Sequence, residues 1–189
     1  MLPTEVNVPM ESTSYGEQDL GPLAWVLDEL RKSLDGAVKT TRRFVREAQE
    51  AGASDLGALD SSPLRIAKQQ LHQSCGALEM VGMPQPAVLL RAMEAALQHY
   101  VQQPMDCTEA VVQTLERASF ALLEYLEAVL AGQRLPAVAL FPQYRDVQAL
   151  CGNEGKIHPA DLWPIERRLR DPDLPRTAEP LSYSAEQRK

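Results

Sequence analysis

Leu71-His72-Gln73-Ser74-Cys75-Gly76-Ala77-Leu78-Glu79-Met80-Val81-Gly82 is the stretch whose periodicity decides the fold of this chain of 189 residues. Advancing 100° per residue from Leu64 places Leu71, Cys75, Leu78 and Val81 in one apolar stripe, the pattern of an amphipathic helix with one face in a core. His72 falls well to the side of that stripe, which predicts an imidazole at the solvent edge. Gly76, one turn on, lies on the same side as His72. The surface beside the ring therefore carries no side chain, and a partner can approach closely. A mid-helix glycine lowers helix propensity by about 1 kcal/mol, so its place beside an exposed histidine asks for an explanation. Gln69, Gln73 and Met80, together with Ile66, extend this region into a mixed polar and apolar patch suited to docking.

Working outward, Ser62 is placed to cap this helix with Pro63 in its first position, and Met83-Pro84-Gln85-Pro86 ends it after about Gly82. Upstream, Leu23, Val26, Leu27, Leu30, Leu34, Val38, Thr41, Val45 and Ala48 recur at three- and four-residue steps, predicting a long helix that ends near Gly52. Its other face carries Lys32, Lys39, Arg42, Arg43 and Arg46, most simply a solvated basic face. Downstream, Val88, Leu89, Ala92, Met93, Ala96, Leu97 and Tyr100 mark a third helix over about 86–102. Asp106-Cys107-Thr108-Glu109 resembles a capping box opening a fourth helix, which carries Val111, Val112, Leu115, Ala118, Leu122, Leu126 and Val129 to Gly132. No strand-like alternation interrupts this series. The expected fold is all-α: an antiparallel four-helix bundle over residues 22–132, with a helical extension over 133–170 packed on it. Residues 1–21, rich in polar residues and proline, read as a disordered tail, and residues 171–189 as a disordered tail or linker.

His72, Gly76 and Gly82 match the histidine-phosphotransfer (Hpt) signature, a histidine with glycines four and ten residues later, and this stretch resembles that family. Cys75 departs from the pattern, since the family usually carries a lysine there. The resemblance narrows when later runs are added: Leu122-Leu123-Glu124-Tyr125-Leu126, Ala139-Leu140-Phe141-Pro142-Gln143-Tyr144-Arg145 and His158-Pro159-Ala160-Asp161-Leu162-Trp163. With these, about residues 20–169 look like the N-terminal region of the chemotaxis-type (CheA-like) hybrid kinases of type IV pilus systems. The resemblance implies an Hpt-like bundle in a two-component phosphorelay serving twitching motility, with His72 as phosphoacceptor. It also implies as partners a response-regulator receiver domain, which brings its own aspartate and magnesium, a histidine kinase, and a pilus scaffold protein. That N-terminal region in turn resembles stand-alone Hpt-like proteins that lack phosphotransfer and act as docking modules.

The residues keep both readings open. A neutral imidazole nitrogen is a competent nucleophile near pH 7, and its phosphoramidate passes the group onward; an exposed helix histidine is also common as a plain surface residue. A lysine at 75 would place positive charge near the phosphoryl group, whereas Cys75 supplies none and reads as a small core residue. His99 reads as a structural surface residue and His158 as a cap or turn residue. Trp163, Phe141 and Tyr144 offer a peptide-binding surface or, the commoner use of aromatics in a Pro-punctuated extension, pin that extension to the bundle.

Composition bounds the rest. A formal net charge of −7 argues against nucleic acid as the partner and favours protein. Cys75, Cys107 and Cys151 are widely spaced without a CxxC, which suggests neither a disulfide framework nor a metal site. No basic start leads into an apolar run and no stretch of 18 apolar residues occurs, so the expectation is a cytoplasmic protein without membrane contact. Paired acids, metal clusters and nucleotide loops are absent from the sequence, so no cofactor and no independent enzyme are expected.

Overall fold

Three- and four-residue apolar spacing gives each long segment one face to bury, and helices pair so that those faces meet. The computed structural model describes residues 20–51 and 60–163, and these are helical or irregular with no strand among them. The order is α1 (Gly21–Ala51), α2 (Ser62–Met80), α3 (Pro84–Gln102), α4 (Glu109–Leu130) and α5 (Phe141–Ala149). Short 3-10 turns lie at Pro104–Asp106, Ala137–Leu140, Glu154–Lys156 and Pro159–Leu162. The expected disordered tails fall outside the described residues apart from Leu20 and Gly21, as do residues 52–59 between the first two helices and the end of the expected extension, residues 164–170.

In α1 the expected stripe is buried at Leu23, Leu27, Leu30, Leu34, Val38, Thr41 and Val45, and Ala37 and Phe44 widen it. Val26 and Ala48 are only half-buried. The helix begins at Gly21, inside the expected tail, because Leu20 already packs on the core and accepts the Ala24 amide at 3.1 Å. Thr41 stays buried at no polar cost, its hydroxyl donating to the Ala37 carbonyl at 2.8 Å. The basic face is largely neutralised from within: Lys32, Lys39 and Arg43 pair with Glu29, Asp35 and Glu47 one turn away. Arg42 crosses to Glu109 and Glu116 of α4.

The ends of α2 follow different chemistry from that expected. Ser61, not Ser62, is the N-cap residue, and its side chain makes no cap bond. The Asp60 carboxylate accepts the Ser62 amide at 2.9 Å instead, and its hydrogen bonds to Ser62 hold Asp60 below the usual carboxylate range. At the other end the helix stops at Met80. The Met83 amide reaches the Leu78 carbonyl at 2.9 Å and the Gly82 amide reaches Glu79 at 3.1 Å, a Schellman closure. Gly82 sits at φ +77°, a conformation only glycine adopts cheaply, so the second glycine of the signature is a helix stop. Pro84 and Pro86 then occupy the first turn of α3, where a missing N–H costs nothing. The expected capping box before α4 is not made: Thr108 is the N-cap residue and no side chain bonds there.

The helices then assemble through their apolar faces. α1 packs on α2 and α4, α2 packs on α3, and α5 lies against both α3 and α4, which touch each other only slightly. Leu34, Phe44, Leu64, Leu78, Leu89, Leu90, Leu97 and Leu126 are fully enclosed. The C-terminal segment is tied down by polar bonds as well. The Tyr100 hydroxyl donates to the Leu150 carbonyl at 3.2 Å and Tyr125 donates to Leu135 at 3.1 Å. Tyr144 is buried and Phe141 half-buried, but Trp163 is 60% exposed and pins nothing among the described residues. His158 caps the turn Pro159–Leu162, with its ring accepting the Ala160 amide and Asp161 reaching back to the His158 amide.

Candidate functional site

α2 and α3 run antiparallel, and their shared edge carries a ladder of polar contacts. Lys68 Nζ donates to Gln98 Oε1 at 2.7 Å, His72 Nδ1 lies 3.2 Å from a Glu94 carboxylate oxygen, and Glu79 pairs with Arg91. His72 is the middle rung, with its side chain 65% exposed, whereas Glu94 beneath it is 20% exposed. A carboxylate at Nδ1 favours the tautomer with its proton there, because that N–H can donate to it. Nε2 is then left with its lone pair directed away from Glu94.

The surface beside the ring is bare, as the periodicity predicts. A Cβ added to Gly76 would meet nothing within 4 Å, so the glycine answers no packing need. Gly36 shows the opposite case: a Cβ there would lie 2.9 Å from the Gln70 amide nitrogen, so that glycine lets α2 side chains close on α1. Along the exposed side of α2, Ile66, Gln69, Gln73 and Met80 all face solvent, Met80 at 88%. The predicted docking residues Gln69, Gln73, Gly76 and Met80 thus lie along the helix that carries His72.

Cys75 turns away into the core, its thiol 3.5 Å from a Glu79 oxygen and 3.7 Å from the Ala87 carbonyl. Burial, reinforced by the charge of Glu79, pushes this thiol up to about 11. It is an uncharged packing residue at physiological pH. Burial likewise pushes Cys107 and Tyr100 up to about 12 each. In each case the unfolded chain gives up its proton first, from 9.0 for the thiols and 10.0 for the phenol. Stability from these three groups is therefore fully present below about pH 9 and lost as pH rises towards 11 and 12. Urea midpoints measured at intervals from about pH 8 to 11 are expected to hold to about pH 9 and fall beyond it, and a flat profile throughout contradicts the burial of these groups.

Glu94, Lys68 and Arg91 escape a reading by hydrophobic period, because a polar residue on a helix flank looks like any solvated one. A signal was present in α3, where Arg91 and Glu94 are the only Asp, Glu, Lys or Arg residues of the helix. A concavity of about 530 Å³ lies between α1 and α4, with Leu34, Val38, Leu123 and the exposed Phe120 among its lining residues. Its polar rim includes Arg31 and Glu127, which pair with one another. Among the described residues no three acidic, histidine or cysteine side chains group as metal ligands, and no helix is long and apolar enough to cross a membrane. Comparison with protein-family models, with characterised proteins and with solved structures finds no match to this chain.

Proposed function

We propose that this chain is a phosphocarrier module of a two-component phosphorelay, an Hpt-like antiparallel four-helix bundle that accepts a phosphoryl group on His72 and passes it on. The carrying observation is the combination at one edge: an exposed ring, its Nδ1 held by Glu94, and bare helix surface at Gly76. The likeness of the sequence to chemotaxis-type kinases of type IV pilus systems supports the same reading. In this reading Nε2 is the nucleophile. Glu94 keeps the proton on Nδ1 and stabilises the positive charge that develops on the ring as Nε2 is phosphorylated. A receiver domain, in a bacterial cytoplasm, docks over Ile66, Gln69, Gln73, Gly76 and Met80.

Cys75 favours a second reading, a docking module that keeps the shape without transfer. A buried thiol pushed up to about 11 contributes no positive charge to a phosphoryl group. Incubation with potassium phosphoramidate, a small donor that needs no partner protein, separates the two. The carrier reading expects a phosphorus NMR signal that is acid-labile and base-stable. An unlabelled protein that still binds a receiver domain leaves the docking reading.

A further inference from the structure

Phosphorylation of His72 puts a group carrying nearly two negative charges beside a carboxylate already 3.2 Å from the ring. That arrangement needs a cation, and Cys75 is not one. We propose that Lys68 supplies it, swinging from Gln98 to the phosphoryl oxygens on Nε2; this inference rests on the phosphocarrier reading and names a residue that contacts the transferred group.

Lys68 stands one turn before His72 on the same face, where residues four apart hold their Cβ atoms about 6 Å from each other. Helix side chains lean towards the N-terminus, so the His72 ring covers the turn that Lys68 occupies rather than the turn of Gly76. The two side chains are adjacent rungs of one ladder: Lys68 reaches Gln98, and His72 reaches Glu94 one turn away on α3. Lys68 is half-buried, its ammonium rests on a neutral amide oxygen, and no carboxylate lies within 4.0 Å of it among the described residues. Leaving Gln98 therefore costs one hydrogen bond to a neutral group and breaks no ion pair. The other nearby cations are less available. Arg91 is paired with Glu79, and Arg65 stands a further turn away, so that it lies roughly 10 Å along the axis from His72.

The reaction with phosphoramidate is balanced without any further reagent. The Nε2 lone pair forms the new N–P bond while the P–N bond of the donor breaks, and its electron pair leaves on ammonia. The donor nitrogen is already protonated, so no proton is taken from the protein, and the Nδ1 proton stays between the ring and Glu94. Lys68 offsets charge on the phosphoryl oxygens as the group arrives, and holds them once it is bound.

Rates of His72 labelling by potassium phosphoramidate, followed by phosphorus NMR, test this with Lys68→Gln and Lys68→Arg. Glutamine can keep a hydrogen bond to Gln98 without the charge, and arginine keeps the charge. Labelling is expected to slow roughly tenfold in Lys68→Gln and to recover in Lys68→Arg, with melting temperatures of both close to wild type. The phosphorylated Lys68→Gln protein is also expected to lose its label faster. Equal rates in wild type and Lys68→Gln overturn the role of Lys68 and leave the carrier reading standing. Slow labelling in both variants assigns Lys68 a merely structural part and overturns it too. A wild type that takes no label overturns both readings.

Discussion

His72→Gln is expected to abolish labelling by phosphoramidate while leaving the fold intact. The loss is complete because an amide nitrogen has no free lone pair with which to attack phosphorus, so no residual rate survives at that position. The fold is spared because the imidazole is 65% exposed and its one polar partner among the described residues is Glu94. A glutamine amide can donate to that carboxylate in its turn, and glutamine is a somewhat better helix former than histidine. The change in stability is expected within about 0.5 kcal/mol, or a shift of no more than a few degrees in melting temperature. Label that persists in His72→Gln moves the acceptor elsewhere. The two remaining imidazoles are poorer candidates: His99 is half-buried with its ring edge-on to Tyr100 at 5.2 Å, and His158 Nδ1 already accepts the Ala160 amide.

The all-helical character was legible because each segment repeats its apolar residues at the helical step, and the burial of Leu23, Leu71, Leu97 and Leu122 follows that step closely. The helix ends were less legible. The sequence offers Ser62 as the cap of α2, yet Ser61 takes the N-cap position and the Asp60 carboxylate meets the Ser62 amide, a matter of local geometry and not of residue type. Gly82 illustrates the same limit. As part of a motif it reads as functional, yet its φ of +77° and the bonds around it make it a chain-reversal glycine. Nothing in the spacing distinguishes it from Gly76, whose missing side chain serves neither a turn nor a close packing.

The candidate site was legible on one helix only. Exposure of His72, the bare turn at Gly76 and the inward turn of Cys75 all follow from projecting α2, a single-element operation. What α3 contributes does not, because pairing Glu94 with His72 and Gln98 with Lys68 needs the register between two helices. That register is set by the Leu78–Met83 closure and by the leucines and alanines packed between α2 and α3, none of which announces itself as a spacing. The aromatic pins show the same division. Tyr144 is enclosed where α5 meets the longer helices, whereas Trp163 faces solvent, since being aromatic fixes the area available to bury and not the neighbour that buries it.

Gly76→Glu and Leu78→Ala, two positions apart on α2, are expected to separate binding from folding. At Gly76 an added side chain meets no atom within 4 Å, so glutamate enters without a clash, and its better helix propensity returns up to about 1 kcal/mol. The melting temperature is expected to hold or rise slightly. In the proposed docking geometry, a receiver domain seated on Ile66, Gln69, Gln73 and Met80 would meet a protruding carboxylate at the centre of its footprint, one turn from His72, and binding is expected to vanish from a calorimetric titration. Leu78 has no exposed surface and belongs to the core shared by the helices. Its truncation leaves a void and is expected to lower stability by roughly 2–5 kcal/mol, read as a drop in the urea midpoint, while the residual folded fraction still binds. Undiminished receiver binding by Gly76→Glu places the docking surface off this face of α2. A destabilisation of Gly76→Glu comparable to that of Leu78→Ala contradicts the open space beside the imidazole on which the docking geometry depends.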